Sequence, residues 1–234
     1  MISNKITFPL LILAFAFLLA CNQNNSQKEQ NNLPEKEEKK PSKKESAKVI
    51  LFFGNSLTAG YGVEPEEAYP SIIQDSIDAS NYDYKVINAG VSGETTASGN
   101  SRIDWVLQQQ PVSIFVLELG GNDGLRGIPE SETEKNLKSM IDKVREKAPD
   151  AKIILTGMMV PPNMGEKYGT AFNAIFPKVA EEKEVLFLPF LLEGVAGESE
   201  LNLEDGIHPN PEGHKIVAEN VWEVLKLHLE KASS

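Results

Sequence analysis

The sequence predicts an α/β fold, a three-layer α/β/α sandwich on one five-stranded parallel sheet of flavodoxin-like order 2-1-3-4-5. Three observations predict it. Five short apolar runs recur along the chain, stretches with helical spacing separate them, and the polar, glycine-containing segments fall just past the runs. The right-handed crossover of parallel units leaves few other topologies.

The first run, residues 49–53, opens on β-branched residues and closes on aromatics. Residues 84–87, 113–117, 152–156 and 185–188 read the same way. Runs this short suit strands covered on both faces. Helices are expected over residues 68–79, 98–109, 132–147, 168–182 and 211–231. In the third of these, Leu137, Met140, Ile141 and Val144 fall on one face, and Pro149 stops it. Asn210 and Pro211 open the last helix as N-cap and first-turn proline. Both tryptophans, Trp105 and Trp222, fall on expected helices, where packing into the core is the default reading. There is no internal repeat.

The first 21 residues stand apart from this domain. Lys5 precedes an apolar run from Ile6 to Ala20 that is short of the roughly 20 residues a membrane span needs. A basic start, an apolar stretch and a small residue before the cut describe a secretory signal. Leu18-Leu19-Ala20-Cys21 resembles the bacterial lipobox, which implies cleavage before Cys21 and acylation of its sulfur. Several acyl chains would anchor the protein to a bacterial membrane in the cell envelope, on a periplasmic or surface-facing side. Cys21 is the only cysteine, so no intrachain disulfide forms. Residues 22–48 are expected to be a disordered, charged tether, because they carry too little apolar surface to offset the entropy of ordering.

The chain carries −11, and residues 49–234 alone carry −14. An acidic domain excludes nucleic acid as the expected partner, since phosphate binding is driven by Lys and Arg. It also argues against direct adsorption on an anionic surface.

Four polar motifs follow the runs: Gly54-Asn55-Ser56-Leu57, Ser92-Gly93-Glu94-Thr95, Gly120-Gly121-Asn122-Asp123 and Asp205-Gly206-Ile207-His208. In parallel sheets, ligands bind beyond the carboxyl ends of the strands. A serine hydroxyl is a weak nucleophile until a base takes its proton. His208 is the candidate base, because imidazole exchanges protons near neutral pH. His214 lies one turn into the last helix and reads as structural, whereas His228 reads as solvent-facing. Asp205 is three residues before His208 and can fold back to orient it, although a turn aspartate or an N-cap is an equally ordinary use of the residue. The Gly93 N–H, the Asn122 amide and the Ser56 N–H supply donors for an oxyanion.

These blocks resemble the SGNH (GDSL) hydrolase superfamily, and most nearly its bacterial thioesterase I, lysophospholipase and arylesterase branch. The resemblance rests on Phe53 to Tyr61, Asn88 to Thr95, Glu118 to Gly127 and Asp205 to Asn210. It implies a Ser56–His208–Asp205 triad, an oxyanion hole of Ser56, Gly93 and Asn122, and the SGNH hydrolase fold. It also implies substrate contacts from Asp123 and, in the loop after the fourth strand, from Val160 and Pro161. Asn55 departs from the family's usual Asp. The triad carboxylate comes from the last block, so this change should not abolish activity, although it removes a negative charge beside the serine.

The implied activity is hydrolysis of acyl, aryl or lysophospholipid-like esters through an acyl-enzyme, by a monomer with a small-molecule or lipid substrate. Envelope location favours oxygen esters over cytosolic coenzyme A thioesters. A carbohydrate O-deacetylase on the same scaffold is the first alternative, and a non-catalytic binding lipoprotein the second. No cofactor is expected. No second histidine or cysteine completes a zinc shell, and the glycine spacing for dinucleotides is absent.

Overall fold

Five parallel strands pair in the order β2-β1-β3-β4-β5, as the sequence predicts. They are β1 (Lys48–Gly54), β2 (Tyr84–Gly90), β3 (Ile114–Glu118), β4 (Lys152–Thr156) and β5 (Leu186–Leu188). The computed structural model describes residues 47–231, within the compact unit Glu45–Ser234. The signal, Cys21 and residues 22–46 of the tether lie outside the described residues, and β1 begins at Lys48.

The helices are α1 (Ser56–Ala59), α2 (Tyr69–Ala79), α3 (Thr96–Leu107), α4 (Gly121–Leu125), α5 (Glu130–Lys147), α6 (Glu166–Asn173), α7 (Ile175–Glu182) and α8 (Pro211–Leu225). Helix α3 packs on α5 and α5 on α7, whereas α2 packs on α8. Alternating residues of β1 serve the two layers. Phe52 meets Tyr69 of α2 edge-on at 5.5 Å, and the next ring, Phe53, lies 4.0 Å under the Arg102 guanidinium of α3. Residues Ile50 to Phe53 and Phe115 to Leu117 are fully buried, as parallel strands covered on both faces require.

Two helices differ from expectation. The stretch expected over residues 168–182 is two helices joined at Ala174. Pro177 explains the break, since it has no N–H to continue the ladder. By restarting at Ile175, the second helix keeps Pro177 in its first turn, where no intrahelical donor is needed. The last helix ends at Leu225 rather than running to Lys231. Its tail turns toward β2: the Glu230 N–H donates to Tyr84 Oη at 3.3 Å, and Lys231 pairs antiparallel with Tyr82. His228 is half-buried rather than solvent-facing, and its carbonyl accepts from Lys152 Nζ at 2.9 Å.

His214 is structural. It is 1% exposed, lies parallel to the Tyr69 ring, and accepts the Tyr69 N–H on Nδ1 at 3.3 Å. Burial lowers its pKa from 6.5 to about 4. The fold therefore holds a neutral imidazole. The stability this provides is complete above pH 6.5 and is lost as pH falls through about 4. Roughly 3 kcal/mol should disappear over that window through this one group. Urea unfolding of the protein and of His214→Gln at pH 7 and pH 4.5 checks it: whatever the other groups do, the variant should fare better than the parent on going to the acid side.

Candidate active site

The register of the sheet sets the site. Gly54 pairs with Gly90 on one side and Glu118 on the other, so three strands end level. Ser56, Gly93 and Asn122 follow within a few residues of those ends. Two glycines make the convergence possible. A Cβ on Gly90 would lie 2.3 Å from the Ala59 nitrogen, and one on Gly54 would lie 2.5 Å from Glu118 Oε2. The chain after β1 thus passes directly over the ends of its neighbours.

Asn55 caps α1. Its Oδ1 accepts the Leu57 N–H at 2.9 Å and lies 3.4 Å from Ser56 Oγ. Ser56 is the first residue of α1, so its own N–H has no partner within the helix. The Ser56 Oγ is 2.8 Å from His208 Nε2, and His208 Nδ1 is 2.6 Å from Asp205 Oδ2. Asp205 Oδ1 accepts the N–H groups of Ile207 and His208 at 2.9 and 3.0 Å. Partial burial is the largest single influence on this carboxyl and would raise its pKa. Those two N–H groups and the imidazole together outweigh it and bring the pKa down to about 2. Asp205 is therefore an ionised acceptor at any working pH, and the line can pass a proton from Ser56 to His208 while stabilising the imidazolium.

The donors opposite are braced from behind. Gly93 has φ +80°, a conformation that strains any residue with a Cβ, although a Cβ there would meet only Arg126 Nη2, at 3.9 Å. Asn122 Nδ2 donates to the Glu94 carbonyl at 3.0 Å, which leaves its second amide hydrogen for another acceptor. Glu94 is buried and held by Arg102 through both carboxylate oxygens at 2.5 Å, while Arg102 also donates to the Ala89 carbonyl at 2.7 Å. This fork fixes the loop that carries Gly93.

The sequence expectations for Asp123 and the two tryptophans need correction. Asp123 does not face a substrate. It is fully buried, and its carboxylate accepts from the Thr96 N–H at 2.9 Å, the Thr96 hydroxyl, and Thr133 Oγ1 at 3.3 Å. It ties α4 to the start of α3. Trp105 is not in the core but 65% exposed. It sits near the end of α3 away from the site, roughly 14 Å along the helix from Thr96. Trp222 is half-buried and meets Tyr82 edge-on. Val160 is half-buried, with Cγ1 2.3 Å from where a Gly124 Cβ would stand, and Pro161 is exposed. Met158 is buried, whereas Met159 is 47% exposed.

Sequence reasoning assigned no role to Tyr61 or Glu118. Tyr61 lies 4.7 Å from the His208 ring, centroid to centroid, and is 52% exposed. Its signal was an aromatic residue five positions past the serine. Glu118 is fully buried, and its signal was a carboxylate ending an otherwise apolar strand.

A parallel sheet in this order, with serine, imidazole and carboxylate aligned at its carboxyl edge, defines a class of α/β hydrolytic enzymes. The family model for GDSL-like lipases and acylhydrolases matches residues 52–216, and the chain belongs to that family. It is 38% identical over 181 residues to the esterase TesA of Pseudomonas aeruginosa, spanning 77% of this chain and 89% of that protein. It is 37% identical over 174 residues to thioesterase 1/protease 1/lysophospholipase L1 of Escherichia coli K12, spanning 74% and 81%. The psychrotrophic esterase EstA from Pseudoalteromonas sp., solved inhibited by monoethylphosphonate, matches with a TM-score of 0.73 and 32% identity, over 77% of this chain and 97% of that one. The protein is a carboxylic ester hydrolase of the GDSL esterase/acylhydrolase type.

Proposed function

We propose that the protein hydrolyses oxygen esters with apolar acyl or aryl groups, including lysophospholipid-like substrates, through an acyl-enzyme on Ser56. The observation that carries this reading is the unbroken line from Ser56 Oγ to His208 at 2.8 Å and on to Asp205 at 2.6 Å. Ser56 Oγ attacks the ester carbonyl as His208 Nε2 takes its proton. The oxyanion is received by the N–H groups of Ser56 and Gly93 and by Asn122 Nδ2. His208 then protonates the departing alcohol, and water, deprotonated by His208, releases the acid.

The apolar character of the substrate is supported by five exposed hydrophobic side chains. Tyr61, Val91, Leu125 and Ile207 each lie within five residues of Ser56, Gly93, Asn122 or His208, and Met159 lies three residues past β4. Grouped exposed apolar side chains mark ligand grooves. They favour acyl and aryl esters over acetylated carbohydrate, since Trp105, the strongest sugar platform by type, stands away from the serine. Lipidation at Cys21 and an envelope location remain part of this proposal on the sequence alone.

The test is turnover of p-nitrophenyl esters from acetate to palmitate, with fluorophosphonate labelling read by peptide mass. Label on Ser56 and turnover of medium or long chains are expected. Label elsewhere, or acetate-only turnover, would reject the reading. Val160 and Pro161 bear on chain length, since Val160 packs against Gly124 in the Asn122 helix. Combined Val160→Ala and Pro161→Gly should shift preference toward longer or bulkier acyl chains, and an unchanged profile would remove both from the groove.

A further inference from the structure

Behind the nucleophile lies a second carboxylate that the proposed reaction does not use. Glu118 ends β3 and is fully buried, as is Thr58, and Asn55 is 2% exposed. Oε1 accepts from Asn55 Nδ2 at 2.7 Å. Oε2 accepts from the Asn55 N–H at 3.0 Å and from Thr58 Oγ1 at 2.8 Å. The carboxylate thus grips residue 55 twice and residue 58 once, bracketing Ser56 between them. A four-residue helix does not hold itself together, so these external bonds decide its geometry.

The polarity of the contact matters. A side-chain amide has one donating and one accepting end. As a carboxylate Glu118 accepts only, and in that form it fixes Nδ2 toward β3 and turns Oδ1 toward the Leu57 N–H at 2.9 Å and the Ser56 hydroxyl at 3.4 Å. The flipped amide would set oxygen against carboxylate and N–H against N–H.

We infer that Glu118 is a positioning residue for Ser56, acting through the orientation of the Asn55 amide. The inference rests on Ser56 being the nucleophile. Burial lifts the Glu118 pKa from 4.5 to about 7, while the bonds from Thr58 and Asn55 hold it down. The titratable groups around it are Tyr69, whose hydroxyl reaches Thr58 Oγ1 at 2.8 Å, His214 beyond Tyr69, and His208 across Ser56.

A polarity swap tests it on the full-length protein. Glu118→Gln sets a donor among donors, and should lower kcat and the rate of fluorophosphonate labelling about tenfold or more with KM little changed. Asn55→Asp with Glu118→Gln restores one donor facing one acceptor with the direction reversed, and should recover kcat to within about threefold of the parent. Asn55→Asp alone makes two carboxyl groups share a proton, so its kcat profile should show an ionisation more alkaline than any in the parent or the double variant.

A double variant no better than Glu118→Gln, or parent kcat in Glu118→Gln, would overturn the inference. If neither Gln-containing variant folds, the Asn55→Asp profile decides, and a profile identical to the parent's overturns it. Activity surviving in Ser56→Ala would instead overturn the nucleophile assignment itself, a failure distinct from that of the cycle.

Discussion

Ser56→Ala should leave ester turnover about 10⁴- to 10⁶-fold below the parent, with thermal unfolding nearly unchanged. The side chain is small, 8% exposed and bonded only within the site, so its hydroxyl supplies chemistry rather than packing. What remains should be the contribution of binding and of the oxyanion donors, because these do not depend on the hydroxyl. Kinetics on p-nitrophenyl esters with matched unfolding curves make the measurement. A loss below about tenfold would move the attacking group away from Ser56.

Asp205→Asn should cost about 10⁴-fold in kcat while leaving the fold in place. Its Oδ1 position can still accept the Ile207 and His208 N–H groups, which shape the turn at 2.9 and 3.0 Å. Its other atom now donates, and it faces His208 Nδ1 across a contact of 2.6 Å. The imidazole must then carry its proton on Nε2, which presents a donor to Ser56 Oγ and removes the base. Single-turnover kinetics with an activated ester separate this from weaker binding, since KM should move little. A fall in kcat below about tenfold would mean that Asp205 serves the turn alone.

The sheet was legible because parallel strands covered on both faces leave contiguous apolar runs that periodicity detects, as residues 50–53 and 114–117 do. Helix ends were less legible. Pro177 is marked in the sequence, but restarting the helix to keep it in a first turn depends on how Phe172 and Phe176 meet in the core, edge-on at 5.5 Å. The course of residues 229–231 depends on Tyr82 and Tyr84, about 146 positions earlier in the chain.

Within the site, the grouping of Ser56, His208 and Asp205 was legible from residue type and motif position, and the structure brings the three side chains into one line. Asp123 was misread by association with its neighbour Asn122, while the carboxylate itself belongs to Thr96, 27 residues away. Glu118 went unassigned because nothing local distinguishes a strand-end carboxylate in water from one sealed beneath Ser56. Only the pairing of Gly54 with Glu118 does that.

The column formed by Glu118, Thr58, Tyr69 and His214 also sets a proton inventory for folding. Between pH 4.5 and about 7 the folded chain retains at Glu118 a proton that the unfolded chain releases, so this group's contribution to stability declines as pH rises through that window. Between about pH 4 and 6.5 the folded chain refuses at His214 a proton that the unfolded chain takes up. Where the windows overlap, one proton kept offsets one refused. Over that range, folding exchanges no net proton through the column, and two buried groups that would each tilt stability with pH leave it level together.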